Sequence, residues 1–548
     1  MNVKPRPDQA LAPAGEVTTE NRRGQSDSGD PAEPSQNICI EQKPKEGTNE
    51  KEQGGSNTRA GSAEAEARSP TLSFRELMVP RDVADDITVV VDRRKNAYIA
   101  VGKSKTVVAL RSPKAEALLL RCAAQKGNLL RPMELREWID RLAAYAQLAA
   151  ETRDVWLRVA RIPGGVEIDL GDDQGTRVRL VGGQVDILTG GSETLFCRTT
   201  MMESFVIPAA TGNLQLLYPY LNLSRIDRIL LIAWLSYVLA NPKLVGNAFP
   251  LLMLIGGQGC GKTFLCRLIQ SLCDPSNVGV QTFPATEQEL AVSVQLAHLT
   301  VYDNVRFIRP ALADALCRVA SGGALVKRKL FTDSDTVTLS LHGAVVLNGI
   351  HAFIDQPDLA QRCLPLTLLP LDEKSRRSEG ELSRDFQKDL PQIFRGLLDL
   401  TAGALAHVDE VTPTSPERMI DFVRWLAAIE RFQGISGDPY QTNYSAALKQ
   451  GMRDSLEENP LAAAILELID EAPKGQWSGT PSVLLDVLNQ GARGRTPYLP
   501  EWPRNAIALS KRLKPIVPAL RQQGVEIRFD RGVDRRITIV RTGDRHHD

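Results

Sequence analysis

Residues 250–263 read PLLMLIGGQGCGKT. Leu251 to Ile255 form a short apolar run of the kind buried on both faces of a parallel sheet. The run feeds directly into Gly256-Gly257-Gln258-Gly259-Cys260-Gly261-Lys262-Thr263, which is G-x-x-x-x-G-K-T, the phosphate-loop pattern. In such a loop the glycines let backbone N–H groups turn inward around a β-phosphate. The helix that begins at Lys262 directs the positive end of its dipole at the same anion. Lys262 is placed to reach the β- and γ-phosphates, and the Thr263 hydroxyl to ligate Mg²⁺. A chance glycine turn is the simpler explanation of the motif alone. Against it, apolar run, loop and a helix carrying Phe264, Leu265, Leu268, Ile269 and Leu272 at helical spacing follow in the required order. ATP with Mg²⁺ is the ligand expected.

Downstream, Val278–Phe283 and Leu299–Asn304 read as further strands. The second presents Asp303 at the C-terminal edge of an open α/β sheet, where a carboxylate from the strand next door would hold the Mg²⁺ shell. A capping Asp at a strand end is the plain alternative. Asn304 follows, and an amide can orient a water but cannot take its proton, which leaves Glu287 and Glu289 as distant candidates for a base. A helix from Pro310 to Val319 leads to Gly322-Gly323 and the basic run Lys327-Arg328-Lys329. Then come an apolar strand, Ala344–Leu347, ending on Asn348, and Arg362 just before a last apolar strand, Leu364–Leu369. An amide at such a strand tip can hydrogen-bond a γ-phosphate or a water. An arginine just beyond it can reach a nucleotide held by a neighbouring subunit.

This ordered set resembles the core of superfamily-three helicases and AAA+ ATPases. More closely, it resembles the P-loop ATPases of bacterial prophages and integrated mobile elements, relatives of phage and plasmid primase-helicases. The resemblance covers Leu214 to Leu371 and is looser from there to the C-terminus. It implies that Asn348 is the sensor-one residue and Arg362 an arginine finger acting in trans. It also implies that Lys327, Arg328 and Lys329 sit on a pore hairpin that contacts DNA phosphates, although a basic triplet is otherwise an ordinary solvated surface. The implied protein is a cytoplasmic ATPase, a homo-oligomer forming a ring most often of six. It would couple Mg-ATP hydrolysis to DNA translocation, unwinding or remodelling in mobile-element replication, with replication or transfer proteins as further partners. Asn304 departs from the pattern and supports a rival reading, a slow-hydrolysing switch or assembly platform. A DNA-binding regulator is a third.

The remaining chain sets the context. At 548 residues it needs three or four domains, and 66 basic against 66 acidic residues leave net charge uninformative about partners. Eight cysteines are scattered singly, with no C-x-x-C pair, and read as reduced thiols with no zinc site. The most apolar run, Ile229 to Ala240, is about 12 residues and too short to span a bilayer. Residues 1–70 are Gly, Ser, Glu, Asn and Pro with few apolar residues and read as a disordered tail. Alternating and helical runs over 71–200 suggest a small α+β domain of unknown role. Within it, Glu167 and Asp169 fall on one strand face. A solvated strand edge is the simpler reading of that pair, and a two-metal nucleotidyl-transfer site the alternative. No histidine precedes His298, whereas archaeo-eukaryotic primases carry one beside their acidic pair.

The expected architecture is an α/β P-loop NTPase core with a parallel sheet over 201–371, led in by a helical segment from Leu214 to Ala240. A helical lid follows over 372–458. Over 459–541, three helices and a hairpin follow the winged-helix order. Lys511, Arg512, Lys514, Arg521, Arg528, Arg531, Arg535 and Arg536 make that module basic. Residues 542–548, with His546 and His547, read as a solvated tail.

Overall fold

The computed structural model describes residues 87–542, apart from 102–105, 191, 329–335, 351–353, 355, 372–376, 492–501 and 531–534. The tail expected over 1–70, Cys39, Lys329, Arg531, His546 and His547 lie outside the described residues. The first described elements are β1 (Ile87–Val91), β2 (Ala97–Val101), β3 (Thr106–Ala109), α1 (Pro113–Gln125) and α2 (Pro132–Leu148). Pro113 sits in the first turn of α1, where its missing N–H costs nothing, and Ser112 caps that turn by accepting from the Ala115 N–H. After β4 (Glu151–Thr152) and β5 (Val155–Trp156), four antiparallel strands follow, β6 (Val159–Ile162), β7 (Gly165–Asp169), β8 (Thr176–Val181) and β9 (Gln184–Thr189). β10 (Leu195–Cys197) turns back to complete a six-stranded sheet in the order β4-β1-β2-β3-β10-β5.

The β6–β9 sheet alternates as a half-buried sheet must. Val159, Val166, Ile168, Val178 and Leu180 enter the largest core of the molecule. On the opposite face Glu167 and Asp169 are not solvated, which corrects the expectation for them: both carboxylates are 0% exposed. Glu167 accepts from Arg179 at 2.7 Å and from Ser192 Oγ at 2.6 Å, and Asp169 is held by both ends of the Arg198 guanidinium at 2.9 Å. Such pairing is what keeps a buried carboxylate tolerable, and it consumes the oxygens a metal pair would need.

Next comes the parallel body. A single helix is predicted over 214–240, but the structure divides it into a 3-10 turn, Leu214–Tyr220, and α3 (Arg225–Ala240). Pro219 cannot continue the hydrogen-bond ladder, and Ser224 caps a fresh start by accepting from the Asp227 N–H. β11 (Leu251–Ile255), α4 (Lys262–Cys273), β12 (Gln281–Thr282), α5 (Glu287–Leu296), β13 (Leu299–Asp303) and α6 (Pro310–Ser321) follow. A hairpin of β14 (Gly323–Arg328) and β15 (Thr336–Leu341) then leads to β16 (Ala344–Gly349), α7 (Pro357–Ala360) and β17 (Cys363–Thr367). Five strands make one all-parallel sheet in the order β12-β13-β16-β11-β17. β16 therefore lies between the loop strand β11 and the Asp303 strand β13, which the sequence reading takes as neighbours.

Helices α8 (Glu379–His407), α9 (Ile420–Gln433) and α10 (Pro439–Glu458) share the core of the parallel sheet. The Trp425 indole donates to Ser236 Oγ at 2.9 Å, and Phe422 meets Tyr444 edge to face with ring centroids 5.2 Å apart. Helices read from sequence as a lid are thus packed into the body. The final module has its own core, built by α11 (Pro460–Glu471), β18 (Gln476–Gly479), α12 (Pro481–Gly491), α13 (Ala506–Gln522), β19 (Val525–Asp530) and β20 (Arg536–Arg541). Its sheet is antiparallel in the order β18-β20-β19, and the four-residue β18 has no counterpart in the sequence reading. Among the described residues no helix is long and apolar enough to cross a membrane.

Arg158, at the entry to β6, ties the antiparallel sheet to the parallel body. Its guanidinium is 0% exposed, lies 2.6 Å from Asp274 Oδ1, donates to Pro275 O at 2.9 Å and rests over the Phe205 ring at 4.9 Å. Arg158→Met would leave the Asp274 carboxylate buried without its counter-charge, a loss of about 3–5 kcal/mol. Arg93→Met, at the exposed Arg93–Asp154 pair, is expected to cost less than about 1 kcal/mol. Urea denaturation followed by tryptophan fluorescence checks the contrast.

Burial also pushes the imidazoles of His298 and His342 down to about 4. Unfolded imidazoles titrate near about 6.5, so below that pH the unfolded chain binds protons that the folded chain refuses. Stability therefore falls as pH drops from about 6.5 toward 4, by up to about 1.4 kcal/mol per histidine per pH unit. Urea midpoints at pH 7.5 and 5.0 should differ less in the His298→Gln, His342→Gln double variant than in the wild type.

Candidate active site

The site grows from the end of β11. Gly261 adopts φ +90° and Gly259 φ +74°, left-handed values that favour glycine, and these turn the chain from the strand into α4. A side chain at Gly256 would come within 2.8 Å of Cys260 Sγ and 3.1 Å of Leu368 Cβ, so it would crowd both the loop's own cysteine and the segment after β17. Lys262 opens α4 and its ammonium donates to Gly256 O at 2.8 Å and Gly257 O at 2.7 Å, inside the curve of the loop. The Thr263 hydroxyl donates to Asp303 Oδ2 at 3.0 Å. Glycine loop, helix start and the β13 carboxylate thus converge from elements separated by 40 residues of chain.

Asn348 is fully buried at the tip of β16, between the two. Its amide nitrogen lies 3.1 Å from Cys266 Sγ on α4, and its backbone carbonyl accepts from the Val305 N–H at 2.8 Å. Burial pushes the Cys266 thiol up to about 12, so the sulfur stays protonated and neutral beside the amide. Asn304 takes a left-handed φ of +55°, and its N–H donates to Asp303 Oδ1 at 2.7 Å. One carboxylate oxygen of Asp303 therefore faces Thr263 and the other faces the next backbone amide.

Lys262, Thr263, Asp303 and Asn304 border a cleft of about 580 Å³, whereas Asn348, 0% exposed, lies behind its wall and does not line it. Its walls also include Asn222, Arg306 and Arg377, which the sequence reading does not single out. Asn222 secures the loop from outside by donating to Cys260 O at 3.0 Å. Arg306 stands three residues beyond Asp303 and could have been found by following that strand's exit. Asn222 and Arg377 are remote in sequence and carry no motif. A second cleft of about 500 Å³ lies elsewhere, around Arg161, Tyr237 and Trp425.

Other expected site residues fall outside the cleft. Arg362 is 9% exposed at the opposite edge of the sheet, where its carbonyl accepts from the Leu251 N–H at the start of β11. Asp358 holds its guanidinium at 2.6 Å and also binds Arg418. Glu287 pairs with Arg318 at 2.8 Å, and Glu289 closes the N-terminus of α5 by accepting from the Ala285 N–H at 2.8 Å. Both carboxylates are thereby engaged away from Asp303, which removes the support for either as a base. Lys327 is exposed on β14 and donates to Gln288 at 3.1 Å, Arg328 ends that strand, and Lys329 lies outside the described residues.

Residues 215–454 match the family described as actinomycete integrative conjugative element replication protein, and residues 461–546 match the C-terminal domain of that family. No curated protein matches. Among solved structures, an apo form of the NrS-1 C-terminal region is 12% identical, with 86% of this chain and 99% of that one covered at a TM-score of 0.37. A JCV helicase structure is 15% identical over 41% of this chain and 62% of that one, at a TM-score of 0.21. Scores this low fix no correspondence between folds. Over residues 215–454 and 461–546, the chain is thus similar to the replication-protein family of actinomycete integrative conjugative elements.

Proposed function

We propose that this protein is a cytoplasmic P-loop ATPase that couples Mg-ATP hydrolysis to movement along, unwinding of or remodelling of DNA during replication of the conjugative element. The observation that carries the reading is the 3.0 Å approach of Thr263 Oγ1 to Asp303 Oδ2 beside Lys262 and the glycine loop. Loop amides and Lys262 bind the phosphates, Thr263 and Asp303 hold Mg²⁺, and Asn348 supports the end of β13. A hydroxyl and a carboxylate are the hard oxygen donors this cation prefers. When bound, Mg²⁺ neutralises charge on the phosphate oxygens.

Two further features support action on DNA. Lys327 stands exposed on the β14–β15 hairpin. The order helix, strand, helix, helix, strand, strand in the final module is that of a winged helix, with Lys511 and Lys514 on the exposed side of α13. Action of Arg362 on a neighbour's nucleotide in a ring would require its guanidinium to leave Asp358, which holds it at 2.6 Å with the residue 9% exposed.

A second reading, a slow switch or assembly platform, is favoured by Asn304. No carboxylate adjoins Asp303, and Glu287 and Glu289 are engaged elsewhere.

Lys262→Ala should abolish nucleotide binding by the full-length protein. Asp303→Asn should keep binding measurable but lower single-turnover hydrolysis by about 100-fold, the scale on which a lost charge partner at a reacting phosphate is felt. Titration with a fluorescent ATP analogue, followed by rapid-quench hydrolysis, separates the two effects. The motor reading further predicts that single-stranded DNA stimulates hydrolysis, and that Lys327→Ala with Lys329→Ala removes the stimulation while sparing the DNA-free rate. Slow hydrolysis indifferent to DNA in the wild type would instead favour the switch.

A further inference from the structure

The charged side chains lining the cleft have partners, with one exception. Lys262 donates to the loop carbonyls, Asp303 accepts from Thr263 and from the Asn304 N–H, Arg377 pairs with Asp385 and Glu379 with Arg267. Arg306 is exposed in the cleft and has no hydrogen bond or ion pair among the described residues. An unpaired guanidinium facing a phosphate loop across a cleft lacks an anion, and its planar fork suits phosphate oxygens.

The backbone that carries Arg306 is held on both sides. Asn304 turns left-handed at φ +55°, and the Val305 N–H donates to Asn348 O at 2.8 Å. Val305 and Ile308 are 3% and 7% exposed, so the arginine stands between two apolar anchors. The order β13-β16-β11-β17 also gives the cleft a direction. Its β13 side carries Asp303, Asn304 and Arg306, whereas its β17 side carries Leu368 and Leu371 together with Asn222, Arg377 and, from α8, Glu379 and Leu382, where Arg377 and Glu379 are already paired with Asp385 and Arg267. With the inner phosphates on the loop after β11, the triphosphate tail extends toward β13 and away from the leucines.

We propose that Arg306 binds the terminal phosphate of the nucleoside triphosphate held in its own subunit, and so distinguishes triphosphate from diphosphate. This rests on the reading of the cleft as an ATP site. Its charge comes from the same chain, so the discrimination requires no neighbouring subunit, unlike any contribution from Arg362.

The test is equilibrium binding of fluorescent ATP and ADP analogues, with Mg²⁺, to the full-length wild type and to Arg306→Ala and Arg306→Lys. Arg306→Ala should weaken ATP by about tenfold or more and leave ADP within about twofold, the scale of one charge-assisted hydrogen bond. Arg306→Lys should recover part of the loss. Unchanged ADP affinity reports an intact fold and loop. A ratio of ATP to ADP affinity in Arg306→Ala equal to that of the wild type overturns the proposal. Binding of neither nucleotide by the wild type overturns the ATP-site reading itself, a result separable from the first.

Discussion

The Arg158 guanidinium is wholly withdrawn from solvent and is neutralised by Asp274 at 2.6 Å. Asp274 caps the C-terminus of α4, and its other oxygen accepts from the backbone N–H groups of His298 and Leu299 at 2.7 and 3.1 Å, where β13 begins. One carboxylate therefore joins the far end of the helix that starts at Lys262 to the near end of the strand that finishes at Asp303. With those ends tied, the other ends arrive together, and Thr263 meets Asp303 across 3.0 Å. Burying a charge is costly unless its partners are fully supplied, and here two backbone N–H groups and a guanidinium supply them.

The same arginine extends the constraint outward. Phe205, beneath the guanidinium, stacks on Phe394 of α8 with centroids 5.0 Å apart and rings within 6° of parallel. Antiparallel sheet, parallel sheet and helical segment are thus braced through one position. This explains why α8 to α10 share a core with the parallel body and why the β6–β9 sheet cannot be treated as part of a detached N-terminal unit. At the other end of the sheet, Asn348 performs a comparable service. Its side chain meets Cys266 on α4 and its carbonyl receives Val305, so the strand between β11 and β13 holds the spacing of the groups on either side.

Local signals were strong where backbone preference and short spacing coincide. The apolar run of β11, the glycine loop and the amphipathic α4 are readable because each depends on residues within a few positions of one another. The same holds for β13, β16 and β17, short apolar runs that end on polar residues. Where long-range partners decide, reading along the chain fails. Glu167 and Asp169 look like a wet strand edge until Ser192 and Arg198, more than twenty residues on, cover them. Glu287 and Glu289 resemble free carboxylates until Arg318 and the α5 cap claim them.

Sequence alone determined that a glycine-rich loop follows a buried strand, and that a carboxylate, an amide and an arginine come after it in order, because these follow from periodicity and residue chemistry. Only the tertiary structure decided the strand order, which inserts β16 between β11 and β13, and the placement of Arg362 at one edge of the sheet with Arg306 in the cleft at the other. The physical reason is that parallel pairing and charge burial join groups tens to more than a hundred residues apart, and no local preference encodes which distant partner will neutralise a given charge.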